Sequence, residues 1–442
     1  MVSGLAGLAG STSEGDGGAA DSIQISGARL AAFAVVELME NTPDVNALSR
    51  SVGGDQPLRE RVSISVRDRA NSLRTSGEIE HHVDLDEVIQ IAKEELLGVG
   101  PLATLLEDDD VLEIHVHHHS WVSTVRAKGS RRAEIPFASA RSADRILRKL
   151  CAVAGAPVEQ GEAMVERQVR GGSVKLVAAF PPVCGTGLVA TLRKQLPATF
   201  TLEDHVRAGT MSRVMATFLG QAIAGHINIL VTVASGADGR SVLAGLLSAV
   251  RPNEHVVVVH DDDTQLSLPR NGTSILTPLT QDGASAVHLA AALAPDCLFV
   301  ANCEGLVTQE VLNAVAGGCE GVVAFMHAPT LRHAFARVVP EIAVLRPGAS
   351  IDAVREWLSS SFDVVVEVIR LRDGRTRISR IAEPAGIESA VVVLRDIYTF
   401  TVERTASGGS VEGSFHPTGV VPKIGKSLQA RGVVLEPGLF RR

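Results

Sequence analysis

The residues best suited to chemistry in this 442-residue chain gather around one short segment. An apolar run from Asn228 to Val233 leads into Ala234-Ser235-Gly236-Ala237-Asp238-Gly239-Arg240-Ser241, and helical character follows from about Ser241 to Val250. A glycine loop between a strand and a helix aims backbone N–H groups at an anion, and the helix dipole favours negative charge there. A working phosphate loop reads G-x-x-x-x-G-K-[ST], with the lysine on the β/γ-phosphates and the hydroxyl on Mg²⁺. Gly236, Gly239, Arg240 and Ser241 are therefore the candidate nucleotide-binding residues of a vestigial loop that has no lysine. Asp238 adds a carboxylate, and at ~4 Å with an effective dielectric near ~20, two like charges repel by about 4 kcal/mol.

Other clusters carry alternative chemistry. His115, His117, His118 and His119 are dense. On a strand, His115, His117 and His119 would share one face, and three imidazoles suit zinc; a solvated strand end with a turn explains them as well. Asp108-Asp109-Asp110 and Asp261-Asp262-Asp263 have oxygen ligands for Mg²⁺ or Ca²⁺, but acid runs at strand ends are commonly solvated turns. Cys151, Cys184, Cys297, Cys303 and Cys319 form no CxxC pair, and read as buried or free thiols of a reducing compartment. No metal ligand set is assigned.

These groups need elements to hold them. The composition is 45% hydrophobic and only 3% aromatic, so aliphatic side chains must fill a core that a chain this long can bury. A net charge of -8 without a basic block argues against a nucleic-acid binder, which must displace counterions. No stretch reaches the ~20 apolar residues of a membrane span, and the N-terminus lacks the basic start of a signal peptide. Residues 1–28 are Gly/Ala/Ser-rich and read as a flexible tail. Helices are expected over Ala28 to Met39, stopped by Asn41-Thr42-Pro43, over Asp84 to Leu97, and over Ala140 to Ala154. Strands are expected at Val111 to Val116, Trp121 to Ala127, Val174 to Phe180 and Gly187 to Lys194. Thr201 to Gly209 reads as a short helical connector. Beyond it, His255 to Val259, Cys297 to Ala301 and Gly321 to Met326 repeat the apolar run of Asn228 to Val233. Such runs alternating with helices indicate a parallel sheet buried on both faces. From 363 to 400 the pattern alternates, with a hairpin turn at Arg372-Asp373-Gly374-Arg375.

The order of several short motifs resembles the CpaF/TadA pilus-assembly ATPases, relatives of the type II and type IV secretion ATPases. Gly98-Val99-Gly100-Pro101-Leu102 looks like the family's GLGPL segment, and Val111-Leu112-Glu113-Ile114 like its VTEI strand. Leu202-Glu203-Asp204 through Gly209-Thr210 resembles the linker, and Asn228-Ile229-Leu230-Val231 the strand feeding the phosphate loop. Ala294-Pro295-Asp296 leads a Walker-B-like strand, and Gly321 to Ala328 looks like the histidine box, with His327 at its histidine. Leu371-Arg372-Asp373-Gly374 and His416-Pro417-Thr418-Gly419 are similar to the family's LRDG and RPTG. The likeness spans about 85 to 442. It implies an α/β protein: a small α+β N-terminal domain plus a RecA-like P-loop-type parallel-sheet domain with a C-terminal extension. The expected division is a tail 1–28, a helical region 29–97, the α+β domain 98–200, a linker 201–212, the RecA-like domain 213–362 and the extension 363–442.

Against that family the ligands have changed. A gapless register puts Gly239 at the Walker A lysine; a one-residue shift puts Arg240 there. Asn302 replaces the Walker B glutamate, Glu304 an arginine, and His260 the first acid of the Asp-box. Ala284, His288, Ala292 and Ala294 stand where the family carries arginines, and Val174 replaces another; Arg193 keeps a basic position facing nucleotide. Phosphoryl transfer depends on positioning and charge stabilisation, so Asn302, Glu304, His260 and His327 are degenerate positions and no catalytic residue is assigned. The resemblance implies a pseudo-ATPase with a structural or regulatory role in an assembly motor. A divergent active ATPase using Arg240, Ser241 and Asp261 or Asp262, or a stand-alone interaction protein, are the alternatives. The expected cofactor is none beyond ATP and Mg²⁺ for whatever nucleotide binding survives. The expected partners are an active paralogous secretion ATPase and inner-membrane pilus or secretion platform proteins, with no nucleic acid and no membrane span of its own. The expected location is cytoplasmic, at the inner face of the inner membrane.

Overall fold

The computed structural model describes residues 25–50, 55–126, 129–133, 135–155, 157–159, 161–185, 187–195, 199–260, 266, 268–269, 271–276, 283–389, 391–406 and 411–441. The expected tail thus lies outside the described residues as far as position 24.

Helices come first: α1 (Gly27–Met39), α2 (Pro43–Arg50), α3 (Gln56–Thr75), α4 (Leu85–Leu97) and the short α5 (Leu102–Glu107). Ser26 starts α1 by accepting the Arg29 N–H, and Ala28, Ala32, Val35, Val36 and Met39 form its buried stripe, the spacing of one helical face. Asp55 caps α3 in the same way, and Leu58, Val62, Val66, Ala70 and Leu73 face inward. Together with Val88, Ile89, Ala92 and Leu96 of α4, the α1 stripe and Val62, Val66, Ala70 and Leu73 of α3 build a separate apolar cluster.

An antiparallel sheet follows: β1 (Val111–His118), β2 (Trp121–Arg126), β3 (Gly129–Arg132), then α6 (Ala140–Val153), β4 (Met164–Val169), β5 (Val174–Ala179) and β6 (Val189–Lys194). Its order is β3-β2-β1-β6-β5-β4. Alternation works as pattern predicts: Val174, Leu176 and Ala178 of β5 are buried, and they share a core with Ile146 and Leu147 of α6.

The connector is α7 (Leu202–Arg207), started by a capping box in which Thr201 and Asp204 satisfy each other's backbone N–H groups. The second sheet then assembles from α8 (Arg213–Ala224), β7 (Ile229–Val233), α9 (Gly239–Leu247), β8 (Val256–His260), β9 (Gly272–Leu276), α10 (Gly283–Ala292), β10 (Cys297–Val300), α11 (Leu306–Ala316), β11 (Val322–His327), α12 (Leu331–Leu345), α13 (Ile351–Ser361), β12 (Val364–Arg370), β13 (Thr376–Glu388), β14 (Val391–Thr405) and β15 (Val411–Pro417), before α14 (Gly425–Ala430) and a 3₁₀ turn at Pro437–Phe440. The strand order is β15-β14-β13-β12-β7-β11-β10-β8-β9. From β12 to β9 every pairing is parallel, while β13, β14 and β15 extend the sheet as an antiparallel meander.

Every residue of β7, β8 and β10 is buried, which is why these strands appear as unbroken apolar runs rather than alternating ones. Ile229, Val231 and Val233 face one apolar cluster and Leu230 the other, so the sheet is covered on both sides. The C-terminal segment returns to the first of these faces, where Tyr398 stacks among Phe218 and Phe440 and donates its hydroxyl to the Leu439 carbonyl at 3.1 Å. This is the α/β architecture expected, an antiparallel α+β unit joined to a RecA-like parallel sheet with a C-terminal extension. Among the described residues no helix is long and apolar enough to cross a membrane.

Candidate functional site at the carboxyl edge of the parallel sheet

Parallel α/β sheets bind ligands beyond the carboxyl ends of their strands, and the candidate residues line up along that edge. The glycine loop follows β7; His327 ends β11 and pairs in register with Val233; Asn302 lies two residues beyond β10; His260 ends β8. Topology alone therefore brings them to one rim.

The loop spans 234–238 and is tied down at both ends. The Ala234 N–H donates to the Val368 carbonyl at 2.9 Å, and the Asp238 N–H to Thr376 Oγ1 at 2.9 Å. Gly236 has φ +82, and a Cβ there would stand 3.0 Å from Arg370 Cδ and 3.3 Å from Arg193 Nη2. Glycine is needed both for the left-handed backbone and for the close approach of two arginines.

Asp238 is the N-cap of α9, its carboxylate accepting the Ser241 N–H at 3.0 Å. A side-chain carboxylate thus occupies the helix N-terminus, the place where backbone N–H groups and dipole would otherwise meet a phosphate. Ser241 is buried, and its hydroxyl donates to the Asp238 carbonyl at 3.2 Å. Arg240 reaches away from the loop to donate to the Gly172 carbonyl, in the turn between β4 and β5. The connector is anchored here too: buried His205 of α7 donates from Nε2 to the Ser241 carbonyl at 2.8 Å.

Arg193 has a partner that sequence reasoning did not supply. Glu113 of β1 is buried and forms ion pairs with Arg193 and, at 2.6 Å, with Arg370 of β12, with His115 Nε2 at 3.4 Å. Burial alone would raise the Glu113 pKa. Hydrogen bonds from His115 and Arg193 and the charges of Arg193 and Arg370 outweigh it and bring the pKa down to about 2. One carboxylate therefore holds both arginines that overhang Gly236, and joins the antiparallel sheet to the parallel one. A signal for it existed, since a glutamate inside the strand Val111-Leu112-Glu113-Ile114 must find cationic partners if its face is buried; the identity of those partners was not readable.

The remaining rim residues are dispersed. Asn302 is exposed, and Glu304 lies 3.8 Å from Arg337 of α12. His327 is exposed at the end of β11. His260 is buried, with Nε2 2.6 Å from Ser274 Oγ of β9. Asp261, Asp262 and Asp263 lie outside the described residues. The histidine cluster is divided among hydroxyl partners: His115 with Thr191 at 3.1 Å, His117 with Ser123 at 3.0 Å and His118 with Ser120 at 2.8 Å. A register shift between Val116 and His118 also interrupts the alternation assumed for it.

No protein-family model matches the chain. Over 308 residues it is 28% identical to a Mycobacterium tuberculosis protein named for conjugal transfer, covering 66% of this chain and 86% of that one. It is 20% identical over 342 residues to the type IV secretion system protein VirB11 of Bartonella henselae, covering 68% and 95% respectively. Among solved structures it is similar to the VirB11 ATPase from the Brucella suis type IV secretion system, at 20% identity over 64% of this chain and 94% of that chain, with a TM-score of 0.35. Its sequence relatives are thus proteins named for conjugal transfer and type IV secretion, and the chain is similar to them over about two thirds of its length.

Proposed function

We propose that this chain is a CpaF/TadA-type subunit of a pilus-assembly or secretion motor that has given up ATP hydrolysis and serves as a structural or regulatory pseudo-ATPase. The observation that carries the reading is the Asp238 carboxylate on the first-turn amide of α9. A triphosphate approaching this helix meets a negative charge already using the donor it needs. The cations that would offset its charge are engaged: Arg240 with the Gly172 carbonyl, Arg193 and Arg370 with Glu113. At the end of β10, Asn302 can orient water but brings no charge for a metal. ATP and Mg²⁺ are accordingly not resident cofactors in this reading.

The proposed partners are an active paralogous ATPase, whose own site would supply the nucleotide contacts at a shared ring interface, and the inner-membrane platform on which such motors act. The working position is then the cytoplasmic face of that membrane. The domains act as the units of this assembly: the helical region 29–97, the α+β domain 98–200, the linker 201–212, the RecA-like domain 213–362 and the extension 363–442.

The test is ATP binding by calorimetry and phosphate release by the purified chain, alone and mixed with an active relative, with light scattering for assembly. The expected result is turnover far below the ~1 per second of a slow working enzyme, and a higher-order species only in the mixture. Turnover on the order of ~1 per second that is lost in Arg240→Ala would establish a divergent working ATPase instead. A chain that ignores the active relative would be a stand-alone interaction protein.

A further inference from the structure

At the opposite, amino edge of the parallel sheet, three side chains of metal-ligating type converge. His226 precedes β7, Glu254 precedes β8, and Cys297 opens β10. Their ligand atoms all lie within 4.8 Å of one another. His226 Nε2 is 2.9 Å from Glu254 Oε1, and the second oxygen of Glu254 accepts the Arg251 N–H at 3.1 Å. Glu254 and Cys297 are buried.

Two backbone features build this arrangement rather than leave it to chance. His226 is a non-glycine residue with φ +51, an uncommon conformation that persists only where the surroundings hold it. They do so through its carbonyl, which accepts from the Gly321 N–H at 3.0 Å and from Arg431 Nη1 at 3.0 Å. Gly321, with φ +66, lies against the pair: a Cβ there would be 3.4 Å from both Cys297 Sγ and His226 Cβ, and only 2.6 Å from the Asp296 carbonyl. A side chain at 321 would therefore collide with the Asp296 carbonyl, next to Cys297 in the chain.

We propose that His226, Glu254 and Cys297 form a binding site for a borderline-soft divalent cation, with zinc the best match. The donor set of one imidazole nitrogen, one carboxylate oxygen and one thiolate suits zinc and not Mg²⁺ or Ca²⁺, which take oxygen. Donor atoms of a tetrahedral zinc site stand about 3.3–3.8 Å apart, so side-chain rotation of about 1 Å closes the set. The neutral imidazole shifts its proton from Nε2 to Nδ1, so that Nε2 and the carboxylate exchange their mutual hydrogen bond for the metal, and the Cys297 thiol gives up its proton to water as the Zn–S bond forms. His226 also lines a cleft of about 580 Å³, shared with His288, Asp296, Glu310, Cys319 and Glu320, which gives the proposed site its route for a fourth ligand. Water or the Cys319 thiolate fills that fourth position. The nearby Arg251, 3.8 Å from Glu254, and Arg431, paired with Glu320 at 2.8 Å, are the positive charges the cation must tolerate. This site is separate from the glycine loop and does not depend on whether that loop binds nucleotide.

The experiment treats the full chain with a chelator and titrates it with Zn²⁺ against a chromophoric competitor, and in parallel with Co²⁺ followed by absorption. One equivalent should bind, and Co²⁺ should produce a thiolate charge-transfer band. Cys297→Ser should abolish that band where water is the fourth ligand and reduce it where Cys319 is, and it should weaken zinc at least about 100-fold, with His226→Gln weakening it comparably. Circular dichroism confirms that each variant is folded; if Cys297→Ser is not, His226→Gln carries the decision. Loss of the band's intensity or a shift in Cys319→Ser identifies the fourth ligand, and an unchanged spectrum identifies water; both support the site. Binding of no equivalent, a cobalt spectrum without the thiolate band, or equal zinc affinity in wild type and His226→Gln overturns it.

Discussion

The two edges of the parallel sheet share one buried body and differ in how they use their polar groups. At the carboxyl edge the groups have turned on one another: Asp238 on the α9 amide, Arg240 on the Gly172 carbonyl, Arg193 and Arg370 on Glu113. At the amino edge His226, Glu254 and Cys297 converge beside an open cleft. The strands between them are equally apolar and equally buried. The framework is therefore packed alike behind both rims. The difference teaches that sheet packing and edge chemistry are separable, since core burial fixes the strands while only a few rim side chains decide what an incoming anion meets.

The largest effect that could break this contrast is restored hydrolysis. Arg240→Lys, alone or with Asn302→Glu, is expected to remain at least ~10³-fold below an intact relative in phosphate release, because Glu304, the Asp238 cap and the engaged arginines remain and such groups act together. Robust turnover from the lysine alone would mean that the carboxyl edge is only one residue away from working.

Glu113→Gln comes next. It strands two arginines at a buried junction, and breaking such a pair costs about 3–5 kcal/mol, read as a lowered urea midpoint of the full chain. The pH dependence has a fixed sign. The folded pKa of Glu113 is depressed from 4.5 to about 2. Its contribution is fully present above the unfolded value and is lost as pH falls from about 4.5 toward 2, a change of about 3 kcal/mol. Glu113→Gln should flatten that part of the stability profile; an unchanged acid limb would show that the junction is held by other contacts.

The body of the sheet was far more legible than its rims. The apolar runs at Asn228 to Val233, His255 to Val259, Cys297 to Ala301 and Gly321 to Met326 fall on β7, β8, β10 and β11 within one or two residues, because two-sided burial leaves a local mark. The turn at Arg372 to Arg375 joins β12 to β13 as its Asp-Gly requires. By contrast β9, read as Gly-Thr-Ser-Ile-Leu, is an edge strand that pairs, among the described residues, with β8 alone and carries little hydrophobic signal. Neither α3, polar outside its narrow stripe, nor α8 was anticipated as a separate element. The rim failed for a different reason. Glu113 meets residues 80 and more positions away, and nothing local names them. Asp238 was legible as a charge but not read as a cap, although an acid directly before a helix start is a recognised signal. Cys297 and Cys319 were weighed as thiols, without His226 and Glu254 beside them.

A smaller effect tests the loop register. Gly239 is packed so that a Cβ would stand 2.9 and 3.0 Å from the two Val233 methyls. Gly239→Ala should destabilise by about 1–3 kcal/mol through overpacking, measured by thermal or urea unfolding. Gly239→Lys should do the same without gaining ATP affinity, whereas Arg240→Lys should leave stability nearly unchanged apart from its contact with Gly172. Tolerance at 239 would return the gapless register to consideration.

The smallest expected change in stability separates charge from geometry at the same helix. Asparagine caps about as well as aspartate, so Asp238→Asn should shift stability by at most about 0.5 kcal/mol, whereas Asp238→Ala should lose about 1 kcal/mol with the hydrogen bond to the Ser241 amide. Anion binding should move the other way. Removing the carboxylate in either variant relieves like-charge repulsion at the α9 N-terminus, and an affinity gain of about tenfold for inorganic phosphate corresponds to about 1.4 kcal/mol. The alanine variant also frees the amide as a donor, so it should bind phosphate more tightly than the asparagine variant. Calorimetric titration with phosphate, beside urea unfolding of the same proteins, gives both quantities. Cys297→Ser, at the other edge, should leave the phosphate titration unchanged. If Asp238→Asn and Asp238→Ala bind phosphate no better than the parent chain, the Asp238 carboxylate is not what closes this edge, and the engaged arginines above Gly236 must be doing so alone.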